Sequence, residues 1–191
     1  MKKLIVLLCL LLIPALTASD TSTYVLAVSG QDAGSGTCSD AITQSTSDGY
    51  MTLGDSTSVA GQSFTGDGKV LCSITLKTSS ATATGGLIEM RVDDDTDMSS
   101  EYLATKTVEC TTAEADMVFD FEVDEVSLSS ETTYYFSIMN TNGEYSTRFR
   151  PLQAGTGNPY NGGVLYFYGE TAWNLTTPAA DMDFYFTVST K

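Results

Sequence analysis

The sequence predicts an all-β fold, an antiparallel β-sandwich of jelly-roll type with about nine or ten short strands. Three observations predict it. Apolar and polar residues alternate in run after run, turn-forming dipeptides separate the runs, and outside residues 1–19 no long stretch carries a helical period. Residues 24–29 and 62–65 are short candidates. In 70–77, Val70, Cys72, Ile74 and Leu76 fall on the inward side, and in 87–92 Ile88, Met90 and Val92 do the same. A run at 102–110 follows. The clearest alternation is 116–124, with Met117, Phe119, Phe121 and Val123 on one face and Asp116, Asp120, Glu122 and Asp124 on the other. Runs at 133–139, 145–150 and 164–168 lead to 183–188, where Phe184, Phe186 and Val188 share a face. Asn142-Gly143 between two alternating runs is a strong hairpin signal, because both central positions of that turn need φ > 0. Asp67-Gly68, Gly85-Gly86 and Asn161-Gly162-Gly163 mark further reversals.

Residues 1–19 have the layout of a secretory signal peptide: Lys2 and Lys3, an apolar run over 4–13, Pro14, then the small residues Ala15, Thr17, Ala18 and Ser19. The apolar run is too short to span a bilayer, and no second long one follows, so the expected product is secreted, without membrane insertion. Leu8 stands before Cys9 where a lipoprotein signal needs a small residue, which argues against a lipid anchor. The expected organisation is the leader at 1–19, an N-terminal strand and flexible lead-in at 20–58, and the sandwich at 59–191. Removing Lys2 and Lys3 with the leader takes the net charge from −15 to −17.

That charge makes nucleic acid and anionic membrane surfaces poor partners. The chain has no histidine, so Ser-His-Asp and Cys-His hydrolases are excluded, and with them most zinc enzymes. Catalysis by a carboxylate pair remains, but most acids fall on wet strand faces, and the chain is read as not an enzyme. Three cysteines follow the leader. Cys72 with Cys110 is the first choice of disulfide, since both lie in strand-like runs; Cys38 is then free, paired between chains, or the alternative mate.

Two constellations could hold a ligand. Asp93, Asp95 and Asp97 occupy the first three ligand positions of a D-x-D-x-D calcium loop, with Glu101 at the ninth. Met98 stands where the loop needs Gly, and Ala104 where it needs a bidentate Glu, so a regular EF-hand is excluded. The cluster reads as a solvated acidic loop or as an irregular Ca²⁺ cage. Sugar sites combine flat aromatic rings with amides, and Asn158, Tyr160, Asn161, Trp173 and Asn174 offer that combination in loop-like segments. The competing reading places Trp173 as a cap on one end of the sandwich. Tyr145 with Arg148 and Arg150 is a second candidate, although those arginines fit equally well as partners of Asp120 or Glu122.

The segments 59–65 (Val-Ala-Gly-Gln-Ser-Phe-Thr) and 70–76, then Val92-Asp93-Asp94, Leu103-Ala104-Thr105 and Thr132-Thr133-Tyr134-Tyr135-Phe136, follow one another in a familiar order. Asn158-Pro159-Tyr160, Gly162-Gly163, Trp173 and Asp183-Phe184 continue it. Over 59–188 the chain resembles the extracellular jelly-roll modules, including the choice-of-anchor domains, of bacterial secreted proteins and phage particles. The resemblance implies a carbohydrate-binding-like or adhesive module with no catalytic residues. The expected function is therefore a secreted, non-catalytic module that recognises an extracellular glycan or surface polymer. The alternative is a structural subunit of a fibre, coat or phage particle, self-assembling through edge strands.

Overall fold

The computed structural model describes residues 36–45, 51–53, 59–78, 86–110, 115–141, 148–149, 151–153, 160–168, 173, 175–179 and 182–191. The leader at 1–19, the run at 24–29, the hairpin at Asn142-Gly143, Tyr145, Arg150, Asn158 and Asn174 lie outside them. The strands in chain order are β1 (Ser39–Gln44), β2 (Met51–Thr52), β3 (Val59–Thr65), β4 (Leu71–Lys77), β5 (Gly86–Asp93), β6 (Ala104–Cys110) and β7 (Asp116–Asp120). There follow β8 (Thr133–Asn140), β9 (Arg148–Phe149), β10 (Pro151–Gln153), β11 (Leu165–Tyr168), β12 (Leu175–Ala179), β13 (Met182–Phe184) and β14 (Phe186–Thr190). Among the described residues there is no helix, and hence none able to cross a membrane.

A four-stranded sheet of order β1-β14-β4-β7 packs on a six-stranded sheet of order β12-β11-β3-β8-β5-β6, all pairs antiparallel. The chain crosses between the sheets from β1 to β3, β3 to β4 and β4 to β5, then from β6 to β7 and β7 to β8. It returns at the end through β14. This winding interleaves two Greek keys, the path of a jelly roll, with β11 and β12 added outside β3. Two short pairs, β2-β9 and β10-β13, complete the described structure.

The alternation that predicts the strands also places the core. Ile88, Met90 and Val92 of β5 and Phe64 of β3 meet Ile74 and Leu76 of β4, Phe119 of β7 and Val188 of β14 between the sheets, all essentially inaccessible. Phe136 sits at the centre, its ring 5.6 Å from Phe186 and 5.8 Å from Phe184. Val123 departs from the expected inward set: β7 ends at Asp120, a turn with Asp124 at φ 63° follows, and Val123 is 61 % exposed.

The sequence reading misplaces two features. The sandwich takes in β1, from the stretch expected as a lead-in; a strand with one half-buried apolar residue, Ile42, carries almost no alternation signal. The disulfide joins Cys38 to Cys72, and Cys110 is a buried thiol. A β-bulge explains this correction. Ser73 faces Ser189 but Leu71 faces Thr190, so Cys72 is the extra residue; Leu71 turns into the core and Cys72 is left half-buried, toward Cys38. Cys110, opposite Gly86 at the end of β6, points into the core instead, where burial raises its pKa.

The outer face of the six-stranded sheet carries a second, smaller apolar cluster of Val59, Met98, Trp173 and Leu175, flanked by Tyr135, Met139 and Tyr166. Gly61 makes room for it. A Cβ added there would lie 2.7 Å from Leu175 Cδ1 and against the Phe136 carbonyl oxygen. Gly61→Ala is expected to lower stability by about 1–3 kcal/mol through overpacking, measured by urea denaturation. An unchanged midpoint would contradict this packing.

Candidate functional site

The connection from β5 to β6 folds back across the outer face of the six-stranded sheet. Its acidic side chains set the turns. Asp93 Oδ1 accepts from the Asp94 N–H at 2.8 Å, Asp95 Oδ1 from the Asp97 N–H at 3.2 Å, and Asp97 Oδ1 from the Ser99 N–H at 3.1 Å. Short carboxylates hydrogen-bonding the backbone one or two residues on are turn formers. Met98 then enters the outer cluster, fully buried, with the Ser137 hydroxyl donating to its sulfur. Its N–H donates to the Trp173 carbonyl at 3.0 Å, and the Leu175 N–H donates to the Thr96 carbonyl at 2.9 Å. These two bonds tie the loop to the start of β12.

Arg91, on the outward side of β5, fastens the same loop. Its Nη1 donates to the Met98 carbonyl at 2.6 Å, and its Nε to Glu89 Oε1 at 2.9 Å. The guanidinium carbon lies 4.0 Å from the ring centre of Trp173 and 4.5 Å from that of Tyr102. One cation thus meets a buried indole, an exposed phenol and the loop backbone. Cation–π contacts of this kind contribute about 0.5–2 kcal/mol each, more where water is excluded.

Beyond Tyr102 the loop encloses a hollow of about 490 Å³ lined by Asp93, Asp94, Asp95, Asp97, Ser100, Glu101, Tyr102 and Leu103. Tyr102 and Leu103 are 40 % and 45 % exposed. Burial raises the Asp93 pKa above its ordinary value, against the Asp94 N–H that lowers it, and the charges of Asp94 and Asp95 add to the rise. Asp97, fully exposed, is lowered by its bonds from Ser99. The hollow therefore presents carboxylate acceptors beside an aromatic ring held by Arg91.

The expected site residues meet different fates. Asp93, Asp95, Asp97 and Glu101 all line the hollow, but among the described residues no three such side chains gather into a group able to hold a metal ion. One oxygen each of Asp93, Asp95 and Asp97 is turned onto an N–H of the loop itself. Trp173 does not offer a ring to sugar: it is 5 % exposed and Arg91 lies over it. Tyr160 is half-buried, packed edge-on against Phe186 at 5.3 Å, with its hydroxyl accepting from the Thr65 N–H. Asn161 is exposed in a turn. Sequence reasoning misses Arg91 and Tyr102; the signal was an arginine on the outward side of a strand that leads straight into the acidic run.

No family model, curated protein or solved structure matches the chain.

Tyr160 owes its position to a carboxylate inside the sandwich. Asp183, fully buried, accepts from Gln62 Nε2 at 2.8 Å and from the Tyr160 N–H at 3.0 Å, while Gln62 Oε1 accepts from the Phe184 N–H at 3.2 Å. Burial raises the Asp183 pKa above its ordinary value, and the two donors oppose the rise. A carboxyl whose folded pKa is raised contributes most below its unfolded value, near 3.8, and loses that contribution as pH climbs through the folded value. Gln62→Leu removes one donor and pushes the folded pKa higher still. Besides a pH-independent loss from the stranded Phe184 N–H, this variant is expected to lose about 1–3 kcal/mol more at pH 7 than at pH 3.5. Denaturant unfolding at the two pH values measures the difference, and an equal loss at both would contradict a titrating Asp183 held by Gln62.

Proposed function

We propose that the protein is a secreted, non-catalytic jelly-roll module that binds a hydroxyl-rich extracellular glycan or surface polymer in the hollow beside Tyr102. The observation that carries this reading is the Tyr102 ring, exposed to the hollow yet fixed by Arg91 and flanked by carboxylates. A pre-positioned ring stacks on the C–H face of a sugar at low entropic cost, and carboxylates accept hydrogen bonds from hydroxyls. The secretory-type leader and the resemblance to extracellular jelly-roll modules support the compartment. The carboxylates that form the turns serve as acceptors, which favours binding over proton transfer.

The sheet edges favour this reading over a subunit that polymerises by strand addition. Pro178 in β12 supplies no N–H. On β6, Lys106 is partly buried against Glu125 at 2.9 Å. β7 is five residues long with exposed Asp116 and Asp120 at its ends, and β1 is broken by a bulge. Each is a known device against edge-to-edge pairing.

Tyr102→Ala is expected to weaken binding to the glycans the parent protein captures on an array by about 5- to 30-fold, the equivalent of about 1–2 kcal/mol. Val118→Thr, on the opposite sheet, is expected to leave it unchanged. Undiminished binding by a folded Tyr102→Ala protein would remove the hollow as the site, and a parent that captures no glycan would remove the ligand class.

A further inference from the structure

β1 is held to the sandwich in an unusual way. Ser39, Asp40, Ala41 and Thr43 are exposed, Ile42 is half-buried, and only Gln44 is buried. The ladder to β14 is interrupted at Ala41. β14 does not need this neighbour: Phe186, Val188 and Thr190 are buried, it pairs along its length with β4, and Lys191 beyond it exchanges two backbone hydrogen bonds with Val70. The start of β1 is fixed by the Ser189 hydroxyl, which donates to Asp40 Oδ1 at 2.9 Å, and by a covalent bond. Cys38, exposed and one residue before the strand, is bonded to Cys72 at the bulge of β4. The bond thus joins the edge strand to the strand on the far side of β14.

We infer that the Cys38–Cys72 disulfide is a redox clasp that decides whether β1 covers the edge of β14. A dithiol reductant opens it by thiolate attack on one of the two sulfurs, forming a mixed disulfide and releasing the other cysteine as a thiolate that takes up a proton. The reductant's second thiol then displaces the remaining cysteine and closes to a cyclic disulfide. Two electrons pass to the protein, the S–S bond breaks, and Cys38 and Cys72 end as thiols. The exposed position of Cys38 leaves the bond open to this attack. With the clasp open, β1 is left with its interrupted ladder, one side-chain bond from Ser189 to Asp40, the half-buried Ile42 and the buried Gln44, and it leaves. The N–H and C=O groups of β14 that faced it become an uncovered sheet edge, while the core between the sheets persists.

Residue-resolved hydrogen exchange on the full protein, with and without dithiothreitol, tests the clasp, and Cys38→Ser repeats the test without reductant. Amides of the β1-β14 ladder are expected to exchange at least about tenfold faster on reduction and in the variant, with those of the β4-β7 ladder within about twofold of the oxidised protein. Unchanged β1 exchange would overturn the inference. So would equal acceleration of both ladders, which would make the bond a staple of the whole sandwich.

Discussion

The outer face of the six-stranded sheet depends on the guanidinium of Arg91. In a chain with 24 acidic and nine basic residues, five carboxylates crowd one loop, and their mutual repulsion favours an open, solvated conformation. Arg91 supplies the opposing term from below. Its planar fork reaches the Met98 carbonyl and Glu89, and its faces meet Trp173 and Tyr102. A lysine ammonium could neutralise charge but would not reproduce that combination of fork and flat face. The loop is consequently an element of the fold, with Met98 as its apolar anchor.

The acidic residues divide their work according to where the backbone places them. On β7, Asp116 and Asp120 keep an edge strand wet and unattractive to pairing. In the 94–103 loop, carboxylates substitute for backbone acceptors and shape successive turns. Inside the sandwich, Asp183 links β3, the turn at Tyr160 and β13 through two N–H donors, an arrangement that needs Gln62 to point inward among aromatic rings. A buried carboxylate is costly unless its donors are complete, so this network specifies how the C-terminal strands close over the core.

Much of the fold was legible because alternation reports directly on which side of a strand is buried. Ile88, Met90 and Val92, or Met117 and Phe119, are inward on periodicity alone. Legibility failed where a local event breaks the period. The bulge at Cys72 reverses inside and outside within one strand, and with it the choice of disulfide partner. β1 is polar enough to pass for a linker. Trp173 looked like an exposed loop aromatic because nothing local announces Arg91, 82 positions earlier in the numbering, as its cover. The acidic run was visible at once, yet its chemistry depends on which N–H groups each carboxylate meets, and that is decided by the path of the loop across the sheet.

The loop between β5 and β6 is a built part of the outer sheet face. Hydrogen exchange at the Met98 and Leu175 amides tests it most directly, since these donate to Trp173 and Thr96 across the junction. Both amides are expected to be protected to about the level of strand amides in β8, well beyond that of an exposed turn. Exchange at the rate of a solvated loop would show that Arg91 and Met98 do not hold it, and the hollow beside Tyr102 would lose its basis.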